Sequence, residues 1–312
     1  MALHITSASS NPVLDTLTQE FLDRYSGPAG DLDELRKRFH ELQEDGVAPL
    51  SAISEIDFPS EQYHARGRLM LPAGVLRPYP ILLFYCSAGR REEGLLNGER
   101  LCRELAAGGG VAVVCVDVSE GDFCTRVEAA YTALRGAVDV SESMGLDPTR
   151  VAVAGDGIGG NIAAALCMLA RDRAGPDISL QILFNPAFSD DFNTLSYKSF
   201  SEGPWMTENL MSQYFGELAS SANAQVPSPK DASIRNLEGM PPTLIMTAEN
   251  DVARDEGEAY ARKLMQAGVR VSALRFLGTI HDFAVLDPLA DTPAAQGAVS
   301  QAVAALKQAF AA

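Results

Sequence analysis

The stretch RVAVAGDGIGGNIAAALCMLARDR, residues 150–173, decides the fold. It opens on an apolar, β-prone run and closes on apolar residues at helical spacing, with GDGIGGN at 155–161 between them. A glycine-rich turn from strand to helix serves one of two chemistries. It cradles a phosphate, the glycines letting backbone N–H groups approach the anion. Alternatively it holds a nucleophile on a strained elbow, with the next residue's N–H in an oxyanion hole. As a dinucleotide signal GDGIGG is weak, because it follows the third strand of its run rather than the first and no ribose-binding acid stands at the end of a later strand.

Outward from this turn, apolar β-rich runs recur at 79–85 (YPILLFY), 111–118 (VAVVCVDV), 180–185 (LQILFN), 243–247 (TLIMT) and 271–277 (VSALRFL). Helical patterns separate them at 96–107, 123–144, 158–173, 254–267 and 293–311. Several of the strands are continuously apolar, which burial on both faces of a parallel sheet produces. The alternation predicts an α/β fold with a mostly parallel, doubly wound sheet. Residues before 50 read as two helices divided by SGPAG at 26–30. The interval 187–241 holds two helical pieces where a short loop is expected, so it reads as an inserted helical cap, completed by 1–50. The whole of 1–312 is then one domain.

Two later segments favour the elbow. TAENDVARDEGEAYA (247–261) ends one strand with Asp251, and GTIHDF (278–283) ends the next with His281. An acid followed by a histidine, each at the carboxyl end of a parallel strand, is how a hydrolase sheet presents its acid and base. With GDGIGGN these segments resemble the α/β-hydrolase superfamily, specifically the hormone-sensitive-lipase-like (GDXG) esterases, which carry GDSAGGN-like, TAExDxLRDEGExYA and GxxHxF motifs. The resemblance runs from about residue 10 to the end and implies the α/β-hydrolase fold, with Asp251 and His281 as acid and base.

The chain departs from that family's pattern in two places. The nucleophile position is Gly157, which has no side-chain oxygen to acylate. The family's HGGG loop reads Cys86-Ser87-Ala88-Gly89, followed by Arg90, Arg91, Glu92 and Glu93. The oxyanion hole needs only backbone donors, here the N–H groups of Ile158, Ser87 and Ala88. Cys86 is a candidate substitute nucleophile, with a buried structural thiol as the plainer reading. Tyr197, Phe200, Trp205, Met206 and Met211 in the insertion are candidates for lining an apolar pocket, or for packing the cap.

Composition narrows the partners. With 41 acidic against 25 basic side chains and a formal charge of −16, nucleic acid and anionic lipid are disfavoured as partners. The five cysteines form no CxxC pair and read as reduced core thiols, so neither a disulfide framework nor a metal site is expected. No secretory signal or bilayer-length apolar run is visible, so the expected location is cytoplasmic. The resemblance adds a possible homodimer through the last strand and helix. No cofactor is called for.

An imidazole oriented by a carboxylate is a competent base with or without a serine. The leading expectation is therefore an Asp251–His281 base acting on a small apolar carbonyl substrate by lyase, cyclase or isomerase chemistry without acyl transfer, in specialised metabolism. The alternatives are a non-catalytic small-molecule-binding pseudo-hydrolase and a carboxylic ester hydrolase. The hydrolase would be either water-mediated or a serine-to-glycine inactivated form.

Overall fold

The continuous apolar runs become the centre of one eight-stranded sheet. The computed structural model describes residues 12–25, 27–43, 48–60, 62–86, 98–219 and 226–311. Its strands are β1 (Leu50–Pro59), β2 (His64–Pro72), β3 (Tyr79–Cys86), β4 (Ala112–Asp117), β5 (Leu146–Asp156), β6 (Leu180–Phe184), β7 (Thr243–Asn250) and β8 (Val271–Ile280). They lie in the order β1-β2-β4-β3-β5-β6-β7-β8. Every pairing from β4 to β8 is parallel, while β2 runs antiparallel to both β1 and β4. All eight residues of β3 and all five of β6 are buried, which requires cover on both faces.

That cover comes from the helices. In chain order they are α1 (Thr16–Tyr25), α2 (Leu32–Leu42), α3 (Glu99–Gly109), α4 (Phe123–Asp139), α5 (Ser141–Met144), α6 (Ile158–Asp172), α7 (Leu195–Phe200), α8 (Glu208–Leu218), α9 (Arg254–Gln266) and α10 (Pro293–Phe310). α3 packs with α10 and α4 with α6. The expected single helix over 123–144 is two, because Val140 caps α4 before α5 begins.

The hairpin β1–β2 is not visible in the hydrophobic pattern. Most of β1 is exposed, Ile53 by 40%, so no alternation of buried and polar residues marks it as a strand. It forms because β2 needs a partner on its outer edge.

From β3 the chain goes to β4 on one side and then to β5 on the other. This reversal opens a crevice at the carboxyl ends of β3 and β5, where open α/β sheets bind ligands. The N-terminal helices and the insertion close over that crevice together. Leu32 N–H donates to Gln213 Oε1 at 3.2 Å, and Arg36 grips Glu217 through two bonds of 3.0 and 2.5 Å. Trp205 stacks against Phe21 and Phe39 at 5.2 and 6.2 Å between centroids. No helix among the described residues is long and apolar enough to cross a membrane.

Candidate active site

The turn from β5 to α6 has the geometry of an elbow. Gly157 sits at φ +53°, ψ −118°, a conformation that strains any residue with a side chain. Gly155 is required for a different reason, since a Cβ there would lie 2.3 Å from the backbone oxygen of Gly159. The elbow is pinned by Gly157 N–H donating to Phe184 O at 3.0 Å and by Ala187 N–H donating to Gly157 O at 3.2 Å. Ile158 opens α6, so its N–H finds no acceptor within the helix, and the residue lines the cleft.

Asp251 follows β7 and His281 follows β8, so adjacent parallel strands deliver them side by side. His281 Nδ1 and Asp251 Oδ2 are 2.7 Å apart, and both residues are buried. Ala253 N–H and Asn185 Nδ2 also donate to Asp251, at 3.0 and 3.2 Å, fixing the acid that fixes the ring. The other nitrogen, Nε2, faces the elbow: a Cβ built on Gly157 would stand 3.3 Å from it.

Nε2 also meets a carboxylate that the sequence reading passed over. Asp282 Oδ1 lies 3.4 Å away, while Trp205 Nε1 donates to Asp282 Oδ2 at 3.0 Å. Burial alone would push the imidazole down. Asp251 and Asp282, with Asp156 behind them, instead hold it up to about 10. Asp156, the last residue of β5, is pushed well above the usual carboxylate range by burial and by the neighbouring Asp282. The signal for both acids was adjacency: one precedes Gly157 and the other follows His281.

Asp156, Gly157, Ile158, His281 and Asp282 line a cleft walled by Phe39, Phe84, Met206, Met211, Tyr214 and Val285. Met206 and Met211 stand where a pocket role placed them. Tyr197, Phe200 and Trp205 do not line it: Tyr197 packs against Phe192, Phe200 lies beneath Arg254, and Trp205 is consumed by its ring partners and Asp282. Cys86 does line the cleft, but its Sγ lies 2.9 Å from Cys115 Sγ. That contact and burial push its thiol well up, away from the thiolate that a nucleophile requires. Ser87, Ala88, Arg90 and Arg91 lie outside the described residues. Among the described residues no group of three or more potential ligands could hold a metal.

The sequence profile described as the alpha/beta hydrolase fold matches residues 91–285. The chain belongs to the α/β-hydrolase fold family. Among the relatives of this α/β-hydrolase is carboxylesterase NlhH of Mycobacterium tuberculosis, 29% identical over 96% of each chain. Ethyl acetate hydrolase of Pseudomonas putida is 30% identical over 80% of this chain and 82% of its own. A solved thermostable esterase from Pseudomonas putida ECU1011 superposes with a TM-score of 0.87 at 32% identity, over 96% of this chain and 98% of its own. These findings overturn the expectation of lyase, cyclase or isomerase chemistry in specialised metabolism. These three relatives, each matched over most of this α/β-hydrolase's length, are esterases by name, which favours the ester-hydrolase alternative.

Proposed function

We propose that the protein hydrolyses small carboxylic esters, using water in place of a side-chain nucleophile. The observation that carries this reading is the 3.3 Å between His281 Nε2 and the Cβ position of Gly157. Glycine supplies no hydroxyl there, and the space it leaves suits one water within reach of the base. In the neutral ring, Nε2 takes a proton from that water as its oxygen bonds to the ester carbonyl carbon. Asp251 holds the ring in orientation and stabilises the imidazolium formed. The Ile158 N–H faces the oxyanion. Collapse breaks the carbon–oxygen bond to the alcohol, and Nε2 returns its proton to the departing alkoxide, leaving acid, alcohol and the starting enzyme.

The helical layer of 12–50 and 187–241 acts as the cap that shapes the acyl and alcohol pockets through Phe39, Met206, Met211 and Tyr214. Asp282, a carboxylate on the cleft wall beside the glycine turn, disfavours a phosphate there, which argues against the dinucleotide reading.

The test is turnover of p-nitrophenyl acetate and ethyl acetate by the protein and by His281→Ala. Turnover above buffer that drops roughly a hundredfold or more in the variant supports the reading. No turnover of any ester by the wild type, with a small molecule co-purifying unchanged, identifies a binding protein instead and sinks it.

A further inference from the structure

Among the described residues, the cleft's one cationic group is the His281 imidazolium. Its described lining is apolar or aromatic except for His281, Asp156 and Asp282, with no lysine or arginine among them. The buried guanidinium of Arg126 donates to Gly121 O and lies 3.9 Å from Glu217, which Arg36 also engages. Arg36 itself sits over the Tyr214 ring. Neither guanidinium lines the cleft.

The two carboxyls are held there at a cost. Asp282 adopts φ +64°, a region that disfavours residues other than glycine, while Trp205 fixes Oδ2 and leaves Oδ1 beside Nε2. Asp156 Oδ1 is buried without a hydrogen-bond partner, a state that needs an explanation in any folded protein. The displacements of Asp156 and His281 share one sign: both groups are driven to take up protons. A pocket with that bias accommodates a cation, and the chain's −16 charge attracts one from a distance.

We infer that the substrates are esters bearing an ammonium group, and that Asp282 together with Asp156 binds that ammonium while Phe39 and Tyr214 enclose its alkyl groups. This rests on the ester-hydrolase reading and names its substrate class. An ammonium N–H supplies the donor that Asp156 Oδ1 lacks. By pairing with Asp282 it also removes a negative charge from beside Nε2, so the imidazole gives up its proton more readily. The substrate's own cation thus readies the base.

The experiment compares 2-(dimethylamino)ethyl acetate with 3-methylbutyl acetate, which differ by a protonated nitrogen in place of a CH. The expected kcat/KM favours the amine ester by about tenfold or more, and Asp282→Asn brings the ratio close to one. Asparagine tolerates the left-handed backbone, and Asp156→Asn serves as a second variant with the same expected direction. Binding is read separately through Trp205, the single tryptophan and a direct partner of Asp282, by titrating 2-(dimethylamino)ethanol against 3-methylbutan-1-ol. Tighter binding of the amine, weakened in either variant, supports the inference even if neither ester turns over, in which case the hydrolase reading alone fails. Equal turnover and equal binding of the two probes overturn it and leave the hydrolase reading standing. An amine preference that survives in both variants also overturns it.

Discussion

Asp282 Oδ1 lies 3.4 Å from His281 Nε2, so the nitrogen facing the elbow also faces an acid. With Asp251 at 2.7 Å from Nδ1, the imidazole is clamped between two carboxylates and held up to about 10. A base must be neutral to accept a proton, and at pH 7 about one site in a thousand is neutral. On a neutral ester, kcat/KM should therefore climb about tenfold per pH unit from 7 to 9 and level off near 10. Asp282→Asn should move the inflection to lower pH and raise the rate at pH 7. A profile flat from pH 7 to 9 would remove His281 as the base. The same shift makes the fold weaker in alkali: the imidazolium's stabilisation is complete below the unfolded value near 6.5 and is lost as pH rises through about 10.

Gly157 invites two opposite substitutions. Gly157→Ala places a methyl in the proposed water position, 3.3 Å from Nε2, and should abolish ester turnover. Gly157→Ser places a hydroxyl near the same nitrogen and should give an enzyme that acylates, seen as a mass increase with p-nitrophenyl acetate and as inactivation by phenylmethylsulfonyl fluoride. Both variants put a side chain at φ +53°, so each should lose about 1–3 kcal/mol of stability in urea denaturation. Equal activity in the glycine and alanine forms would show that no water acts at this position.

The elbow, Asp251 and His281 were legible in the sequence because each ends a strand within a short local pattern, and parallel strands bring such ends together without further information. Asp282 carries no such pattern. Its side chain reaches the cleft only because its backbone turns to φ +64°, which no periodicity announces. Phe39 and Tyr214 were equally hidden, since they meet across the cleft through α2 packing on α8, remote in sequence. Trp205 misled for the opposite reason: a large aromatic in an insertion suggests a pocket wall, yet Phe21, Phe39 and Asp282 already surround it.

Glu256 links the insertion to α9. Its Oε2 accepts the N–H groups of Phe188 and Ser189, both at 2.7 Å, yet burial pushes the carboxyl up to about 7. The native state then binds more protons than the unfolded chain between about 4.5 and 7, so stability falls as pH rises through that window, by about 3 kcal/mol from this residue. Glu256→Gln keeps an oxygen for the amides and removes the charge. Urea midpoints at pH 5 and pH 8 should drop less between the two conditions in the variant than in the wild type. Parallel drops would mean that Glu256 is solvated in the folded state.

Gly155 and Gly216 separate steric need from mere occurrence. A Cβ at Gly155 would lie 2.3 Å from Gly159 O and 2.7 Å from Gly160 N, both backbone atoms in the first turn of α6. Gly155→Ala therefore forces β5 away from α6 and should cost about 3 kcal/mol or more, displacing the elbow from His281 as it does so. Gly216 lies inside α8 with nothing within 4 Å of its Cβ position. There alanine only restricts the unfolded chain and favours the helix, so Gly216→Ala should gain about 0.5–1 kcal/mol. Thermal denaturation of the two variants side by side checks both signs. A destabilising Gly216→Ala would mean that α8 is not held as a helix over the cleft, and the placement of Met211 and Tyr214 would fall with it.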